Sequence, residues 1–136
     1  MADAVTTQTI LDGEHLVIQK FTNISDGTGE TAVNKVIVAN LAPNSFGLAC
    51  NGVKINKIWA QTQGMSVDIL WDATTDVLCE TIPENQFYLM DYSSFGGLPN
   101  NAGSGVTGDV LFTTVGAASG DRYTITIEAI KTYAGS

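Results

Sequence analysis

The chain has 136 residues, of which 44% are hydrophobic and 15% are charged, and its formal net charge is −8. This length suits one domain with a core of its own, and the charged fraction lies below the ~25% that is usual for soluble domains. Fourteen acidic residues outnumber six basic ones, and the bases form no run. That balance argues against a phosphate-binding surface, so we expect no nucleic-acid partner.

The chain opens with a polar, threonine-rich segment, residues 2–9. This segment has neither the basic start nor the apolar run of a secretory signal, and no part of the chain reaches the ~18 apolar residues of a membrane span. We therefore expect a protein that folds in a reducing cytoplasm and has no membrane partner. Residues 1–9 form either a first strand or an extended arm that becomes ordered on a partner, and residues 10–136 form a single domain.

Alternating apolar residues predict a series of short strands along the rest of the chain. The expected strands are 15–24, 33–41, 53–62, 65–71, 77–82, 87–91, 110–115 and 122–131. Glycine-rich turns separate them, and no 3.6-residue apolar period persists for more than about ten residues. Eight or nine short strands with this spacing predict an all-β fold. We expect an antiparallel β-sandwich of the jelly-roll type, with a barrel as the alternative.

The two tryptophans bear on whether this fold presents an aromatic surface. Trp71 alternates in phase with Ile69, and Trp59 alternates in phase with Ile55. This phase predicts that both indole rings point into the core. A platform on which sugars stack is the alternative for the larger aromatic residues, which are Trp59, Trp71, Tyr88, Tyr92, Tyr123 and Tyr133.

Two long stretches carry no charged residue, residues 36–53 and 92–108. Much of each is connection rather than strand, and solvent-facing loops usually carry charge, so their apolar side chains are expected to be covered. These side chains either fold back over the open ends of the sandwich or contact a neighbouring subunit. The candidate residues for a subunit interface are Phe46, Leu48, Phe95 and Leu98, and we expect a homo-oligomer.

One stretch, residues 103–108, matches the dinucleotide-binding pattern G-x-G-x-x-G. That fingerprint requires a strand before it and a helix after it, so that a pyrophosphate meets the helix N-terminus. Here the following segment, residues 109–115, has the pattern of a strand. We therefore interpret the glycines as those of a loop and expect no nucleotide cofactor.

No side-chain pattern predicts a catalytic or metal site. His15 is the only histidine, and the sequence contains no G-x-S-x-G motif. The carboxylate pairs in the loops 26–30 and 72–76 do not have EF-hand spacing, although calcium stays an alternative for such oxygen-rich loops. Cys50 and Cys79 lack zinc-ligand spacing and are expected to be free thiols. We expect no enzyme activity, no metal and no cofactor.

Three short runs, together with the overall texture of the chain, resemble a family of small virion proteins. The runs are 21–30 (FTNISDGTGE), 69–73 (ILWDA) and 95–103 (FGGLPNNAG). They are similar to runs in small structural proteins of tailed bacteriophages, and most of all in the capsid decoration, or cement, proteins. Proteins of that class are small, β-rich, acidic and non-enzymatic.

The resemblance implies a protein on the outer face of an icosahedral phage head, commonly a homotrimer, in a virion assembled in the cytoplasm of the host bacterium. Its partner would be the major capsid protein, whose hexamers and pentamers it reinforces after the shell expands. Within this interpretation, residues 2–9 grip the shell by adding a strand to an exposed edge. The candidate capsid contacts are Ala4, Val5, Thr6 and Thr7.

Two other functions remain open at the level of the sequence. A carbohydrate-binding β-sandwich module of a phage fibre or head appendage predicts an exposed aromatic platform. A tail or neck component predicts assembly into a ring rather than a trimer. An enzyme is the least expected, because no nucleophile, base and orienting group can be named together.

Overall fold

The computed structural model describes residues 4–85, 87–100 and 105–133, with only the backbone for Ala4, Tyr88 and Phe95. Within these residues the chain forms nine strands and two short 3-10 helices. The strands are β1 (Ala4–Asp12), β2 (Leu16–Ile24), β3 (Val33–Val36), β4 (Cys50–Gln63), β5 (Ser66–Trp71), β6 (Val77–Ile82), β7 (Phe87–Asp91), β8 (Val110–Val115) and β9 (Arg122–Tyr133). The 3-10 helices are Val38–Asn40 and Ser93–Phe95.

The strands form two antiparallel sheets that enclose a common core. Sheet A has five strands in the order β1-β2-β9-β4-β7, and sheet B has four in the order β3-β8-β5-β6. Apart from β1, each sheet has four strands, in the orders β2-β9-β4-β7 and β3-β8-β5-β6. These orders are those of two interleaved Greek keys, which form the jelly roll. The all-β, jelly-roll-like sandwich predicted from the sequence is confirmed.

The core lies between the inner faces of the two sheets. On β5 the inward residues, each at most 1% exposed, are Val67, Ile69 and Trp71. Phe112 of β8 packs against Phe21 and Tyr123 of sheet A, with ring centroids 5.3 and 5.7 Å apart. Both contacts are edge-on, the arrangement that aromatic pairs prefer. The alternation predicted for the strand 65–71 is therefore present.

The third strand is shorter than the sequence predicts. β3 ends at Val36 rather than Leu41, and a 3-10 helix follows. Val38 and Leu41 are both buried, and a 3-10 helix brings residues three apart to the same side. The Val38 N–H donates to the buried carboxylate of Asp109 at 2.9 Å, which holds this turn in place. The apolar run after Val36 therefore serves the core through a helical turn instead of a strand.

A β-bulge in β4 contradicts the prediction for Trp59. The register of β4 on β9 shifts between Ile55 and Lys57, so Asn56 is an extra residue on β4. Ile55 points into the core, and beyond the bulge Ile58 takes the inward position. Trp59 therefore lies half-buried on the outer face of sheet A. The prediction that both tryptophans point inward is wrong for Trp59. Side chains alternate between the two faces of a strand, so one inserted residue moves every following side chain to the opposite face.

The remaining strands occur where the sequence places them. β6, β7 and β8 have the predicted limits, whereas β2 begins one residue later, at Leu16. β4 and β9 extend further than predicted, and each gains residues that pair with the other, such as Cys50 with Tyr133. This longer pair forms the centre of sheet A.

Candidate functional site

β1 is an edge strand of sheet A and pairs with β2 alone among the described residues. Every residue from 5 to 11 is exposed. The candidate capsid contacts lie at the start of this strand, where Ala4, Val5, Thr6 and Thr7 face Ile24, Asn23, Thr22 and Phe21 of β2. The first residues of the expected arm, residues 2–3, lie outside the described residues. The segment from residue 4 is thus an ordered strand with one free edge.

Among the residues that the structure describes, the first part of β1, residues 4–9, lacks the usual protection against strand addition. Residues 4–11 contain no charge and no proline, and the register irregularity lies at the far end, between Thr9 and Leu11. Natural edge strands are commonly guarded by lysine, proline, a bulge or a covering segment. Residues 4–9, before the irregularity, offer an extended segment of another protein unpaired N–H and C=O groups over roughly 20 Å.

A buried lysine fixes the end of β1. Lys131 on β9 has a fully buried side chain, and its Nζ donates to Asp12 Oδ1 at 2.6 Å. It also donates to the carbonyls of Gly13 and Ala42, each at 2.8 Å. Burial works to lower the pKa of Lys131, but the hydrogen bonds and charges of Asp12 and Tyr133 outweigh it, so the pKa is raised. The ammonium form therefore holds β1 to the last strand.

The loop after the first 3-10 helix presents Phe46 to solvent. Phe46 is 87% exposed and Leu48 is 40% exposed, while Asn44 Oδ1 accepts the N–H of both at 3.0 Å. Ser45 donates to Glu14 through its N–H at 3.0 Å and through its hydroxyl at 2.8 Å. These two hydrogen bonds lower the pKa of Glu14. Of the two alternatives that the sequence left open, folding back over the sandwich does not occur for Phe46 or Leu48, and contact with a neighbouring subunit stays a prediction.

The second uncharged stretch, residues 92–108, differs from the first because its apolar residue Leu98 is partly buried. Leu98 packs partly buried against the core, donates its N–H to the Ile55 carbonyl at 2.7 Å and accepts the Ile55 N–H at 3.1 Å. Leu98 therefore folds back onto sheet A, one of the two possibilities that the sequence left open. The side chain of Phe95 lies outside the described part of the chain. Of the four interface candidates, only Phe46 and Leu48 are described as exposed apolar side chains.

The outer face of sheet A carries an apolar patch that sequence reasoning missed. Trp59 lies opposite Leu89 of β7, which is 52% exposed, and Phe87 on the same strand is 78% exposed. Thr126 lies opposite Trp59 from β9. We call these three residues (Trp59, Phe87 and Leu89) the Trp59 patch. No single strand reveals it, because the bulge in β4 determines which residues meet β7.

In the loop 26–30, the carboxylate of Glu30 belongs to a hydrogen-bonded cluster inside the fold. Glu30 is buried and pairs with the buried Lys35 at 2.5 Å. It also accepts hydrogen bonds from the Asn23 amide at 2.9 Å and the Tyr123 hydroxyl at 2.5 Å. A buried ion pair with this many hydrogen bonds fixes the loop to both sheets. The geometry is that of a structural cluster closed to solvent.

The second acidic loop is also held by internal hydrogen bonds. Asp72 accepts the Thr107 hydroxyl at 2.7 Å, and Asp76 accepts the Ala73 N–H at 3.2 Å. Among the residues that the structure describes, no group of three or more His, Cys, Asp or Glu side chains is arranged to hold a metal ion.

In the glycine-rich stretch 103–108, the last glycine allows a close contact between two segments of backbone. Gly108 adopts φ +89°, and a Cβ at this position would lie 2.3 Å from the carbonyl oxygen of Asn51. The loop backbone therefore passes directly against the start of β4, where only glycine fits. The strand β8 follows, as the sequence predicts, and residues 103–104 lie outside the described residues.

The remaining reactive side chains that the sequence singled out are those of one histidine and two cysteines. His15 is exposed in the turn between β1 and β2. Cys50 is buried and Cys79 is half-buried, and both are free thiols, as the sequence predicts. Burial, with a smaller effect from the charge of Glu80, raises the pKa of Cys79 to about 12. Little of the nucleophilic thiolate therefore exists at neutral pH.

No helix in the described ranges is long and apolar enough to cross a membrane. The chain was also compared with known proteins. No protein-family model matches it. The search of curated proteins found no match either.

Proposed function

We propose that this protein is a non-enzymatic structural protein of a tailed-phage virion, which decorates the icosahedral head by binding the outer face of the major capsid protein shell. The free edge of β1 carries the proposal, because its residues 5–11 are exposed and residues 4–11 are uncharged. The runs 21–30, 69–73 and 95–103, which resemble capsid decoration proteins, support it further.

Strand addition to β1 is the proposed mode of attachment. β2 pairs with β1 from Ala4 to Asp12, and the Asp12–Lys131 pair holds its end. The strand is therefore ordered before any partner binds, so attachment loses little conformational entropy on this side. An extended capsid segment would contribute main-chain hydrogen bonds along the edge, with specificity from alternate side chains.

Stabilisation of the shell follows from mass action. A ligand that binds the assembled state and not the separated subunits stabilises assembly by about 2.7 kcal/mol per site at a concentration of 100 Kd. The net charge of −8 also disfavours adhesion to DNA and to anionic membranes, which a virion surface must avoid.

The test uses expanded phage capsids that lack this protein, mixed with the purified full chain and imaged by electron cryomicroscopy. We expect density for the chain at symmetric positions on the outer face of the shell. Capsids that remain bare at saturating protein contradict the decoration role.

A pair of matched variants tests the attachment by β1. Thr7→Lys places a charge on the exposed free edge, and Thr75→Lys places the same charge on the exposed loop between β5 and β6. We expect Thr7→Lys to lose at least about tenfold in capsid affinity, since edge charges oppose strand addition, and Thr75→Lys to bind as the wild type does. Equal binding by both variants contradicts attachment through β1 but not decoration.

The second candidate function is carbohydrate binding, and the Trp59 patch favours it. An indole ring flanked by exposed Phe87 and Leu89 on a flat sheet offers the apolar faces of a sugar a stacking surface. Titration of the full chain with oligosaccharides from host cell surfaces, followed by tryptophan fluorescence, tests it. Binding that Trp59→Ala abolishes and Thr7→Lys preserves would support this function, and an absence of binding would contradict it.

A further inference from the structure

The most exposed large apolar side chain described, that of Phe46, sits on a loop whose shape is fixed. Asn44 accepts the N–H groups of Phe46 and Leu48 through its side chain, and its own N–H donates to the Leu48 carbonyl at 3.0 Å. The Gly47 N–H donates back to the Asn44 carbonyl at 2.9 Å. Because these bonds order the loop in advance, burying the Phe46 ring against a partner loses little conformational entropy. The loop therefore presents an apolar knob.

A mainly apolar pocket lies at the other end of sheet A. It has a volume of about 380 Å³ and is formed where β1 begins, β2 ends and β9 begins. Ile24, which is 47% exposed, lines it on the outer face of sheet A together with Arg122, which lies opposite it on β9. This volume is near the lower limit of small-ligand sites and has room for one aromatic side chain.

The knob and the pocket lie at opposite ends of the same strands. The knob is tied to the β1–β2 turn by the hydrogen bonds from Ser45 to Glu14. The pocket lies beside Ile24, at the far end of β2, where β1 begins. Nine residues of strand separate the two ends by roughly 30 Å. One chain therefore cannot fill its own pocket with its own knob.

The charges beside the two features are complementary. Glu14 lies beside the knob, where Ser45 holds its carboxylate, and Arg122 is an exposed base that lines the pocket. A chain with a net charge of −8 repels its copies overall, so a local contact between an acid and a base has a strong influence on their orientation.

We propose that the pocket binds the Phe46 side chain of a second copy of this chain, with Glu14 of that copy near Arg122. Because the knob and the pocket are different surfaces, the contact is heterologous. Repeating it from copy to copy generates a ring when the rotation between neighbouring copies closes. The inference concerns self-association alone and holds whether or not the protein decorates a capsid. It uses the Ile24 side chain on the outer face of sheet A and leaves the free main-chain edge of β1 unoccupied.

Sedimentation velocity of the full chain is the first test, from roughly 10 μM to 1 mM, because a contact with a Kd near 1 mM is about half occupied at the upper limit. Concentration-dependent growth beyond the monomer is expected. A strict monomer throughout this range overturns the proposal.

Matched variants then separate this contact from general apolar adhesion. Phe46→Ser removes the knob, and its control Phe87→Ser removes a ring of similar exposure, 78%, from the Trp59 patch. Ile24→Glu blocks the pocket, and its control Leu78→Glu alters a 54% exposed residue on β6. We expect the two test variants to weaken association about 10- to 100-fold and the controls to leave it unchanged. Association unchanged in Phe46→Ser, or lost equally in the controls, overturns the proposal.

Mixing the two test variants gives the most specific result. Phe46→Ser keeps an intact pocket, and Ile24→Glu keeps an intact knob, so one functional contact forms between them and cannot propagate. We expect each variant alone to be monomeric and the mixture to form a 1:1 dimer by native mass spectrometry. A mixture that stays monomeric overturns the pairing of knob with pocket. Thermal unfolding of each variant confirms that the fold is retained.

Discussion

Lys131 and Asp12 are 119 residues apart in the chain, yet the lysine Nζ lies 2.6 Å from the aspartate carboxylate. The pair joins β9, the middle strand of sheet A, to the end of the edge strand β1. The lysine ammonium has three donors, and Asp12 and the carbonyls of Gly13 and Ala42 take one each. The ladder with β2 positions β1 along its length, and one fully buried cation fixes its end to β9.

Replacing Lys131 with methionine should destabilise the protein markedly. The change keeps the length of the side chain but removes the ammonium from Asp12 Oδ1 and from the carbonyls of Gly13 and Ala42, while Asp12 Oδ2 keeps only the Ala42 N–H. Breaking a buried pair in this way costs about 3 kcal/mol of unfolding free energy. The control Lys54→Met, at an exposed position, should change it by less than about 0.5 kcal/mol. Urea denaturation measures both, and equal stability of the two variants would show that the cluster contributes nothing.

The raised pKa of Lys131 makes stability sensitive to alkaline pH. Burial opposes the charge, but the hydrogen bond that Lys131 donates to Asp12 and the other favourable contacts prevail, so the folded protein holds this proton more tightly than the unfolded chain does. The contribution is complete below the unfolded lysine pKa of about 10.4 and is lost as the pH rises through the folded value. Between about pH 9 and about pH 11.5, the unfolding free energy of the wild type should fall more than that of Lys131→Met. Parallel curves would contradict this.

Two glycines with similar backbone angles should respond differently to alanine. Gly108 has φ +89° and meets the Asn51 carbonyl, whereas Gly116 has φ +75° and nothing within 4 Å of the added Cβ. Gly116→Ala should cost about 1 kcal/mol from the left-handed conformation alone. Gly108→Ala adds an overlap with backbone and should cost at least about 3 kcal/mol. Thermal unfolding compares them, and a similar loss in both would mean that the loop moves away from β4.

Much of the fold could be predicted because each strand is identified by a pattern of residues within its own segment. The alternation that ends at Trp71 and the glycine turns are properties of single segments, and the jelly roll follows from their number and spacing. The direction of Trp59 could not be predicted in this way. The extra residue at Asn56 is defined by the pairing of β4 with β9, so only the assembled sheet shows it.

The candidate site was predictable to a smaller extent. Residues 4–7 were identified from composition, but their exposure depends on sheet order, since β1 is the fifth strand of sheet A and sheet B has only four. The exposure of Phe46 depends on the contact of its loop with Glu14, a residue 31 positions from Ser45. Such contacts between distant segments have no signature in a local pattern. The absence of charge predicted covered side chains but not which of them the chain itself covers: Leu98 is partly buried, whereas Phe46 is 87% exposed.

The two tryptophans provide a direct check on the bulge in β4. Trp71 is 1% exposed in the core, whereas Trp59 is half-buried on the outer face of sheet A. Acrylamide, a neutral quencher that the net charge of −8 does not repel, should therefore reach the indole of Trp59 and not that of Trp71. Trp59→Phe should remove most of the quenchable emission and leave a blue-shifted spectrum, while Trp71→Phe should retain the quenchable part. Equal protection of the two indoles in the native protein would contradict the outward direction of Trp59 and remove the basis for the Trp59 patch.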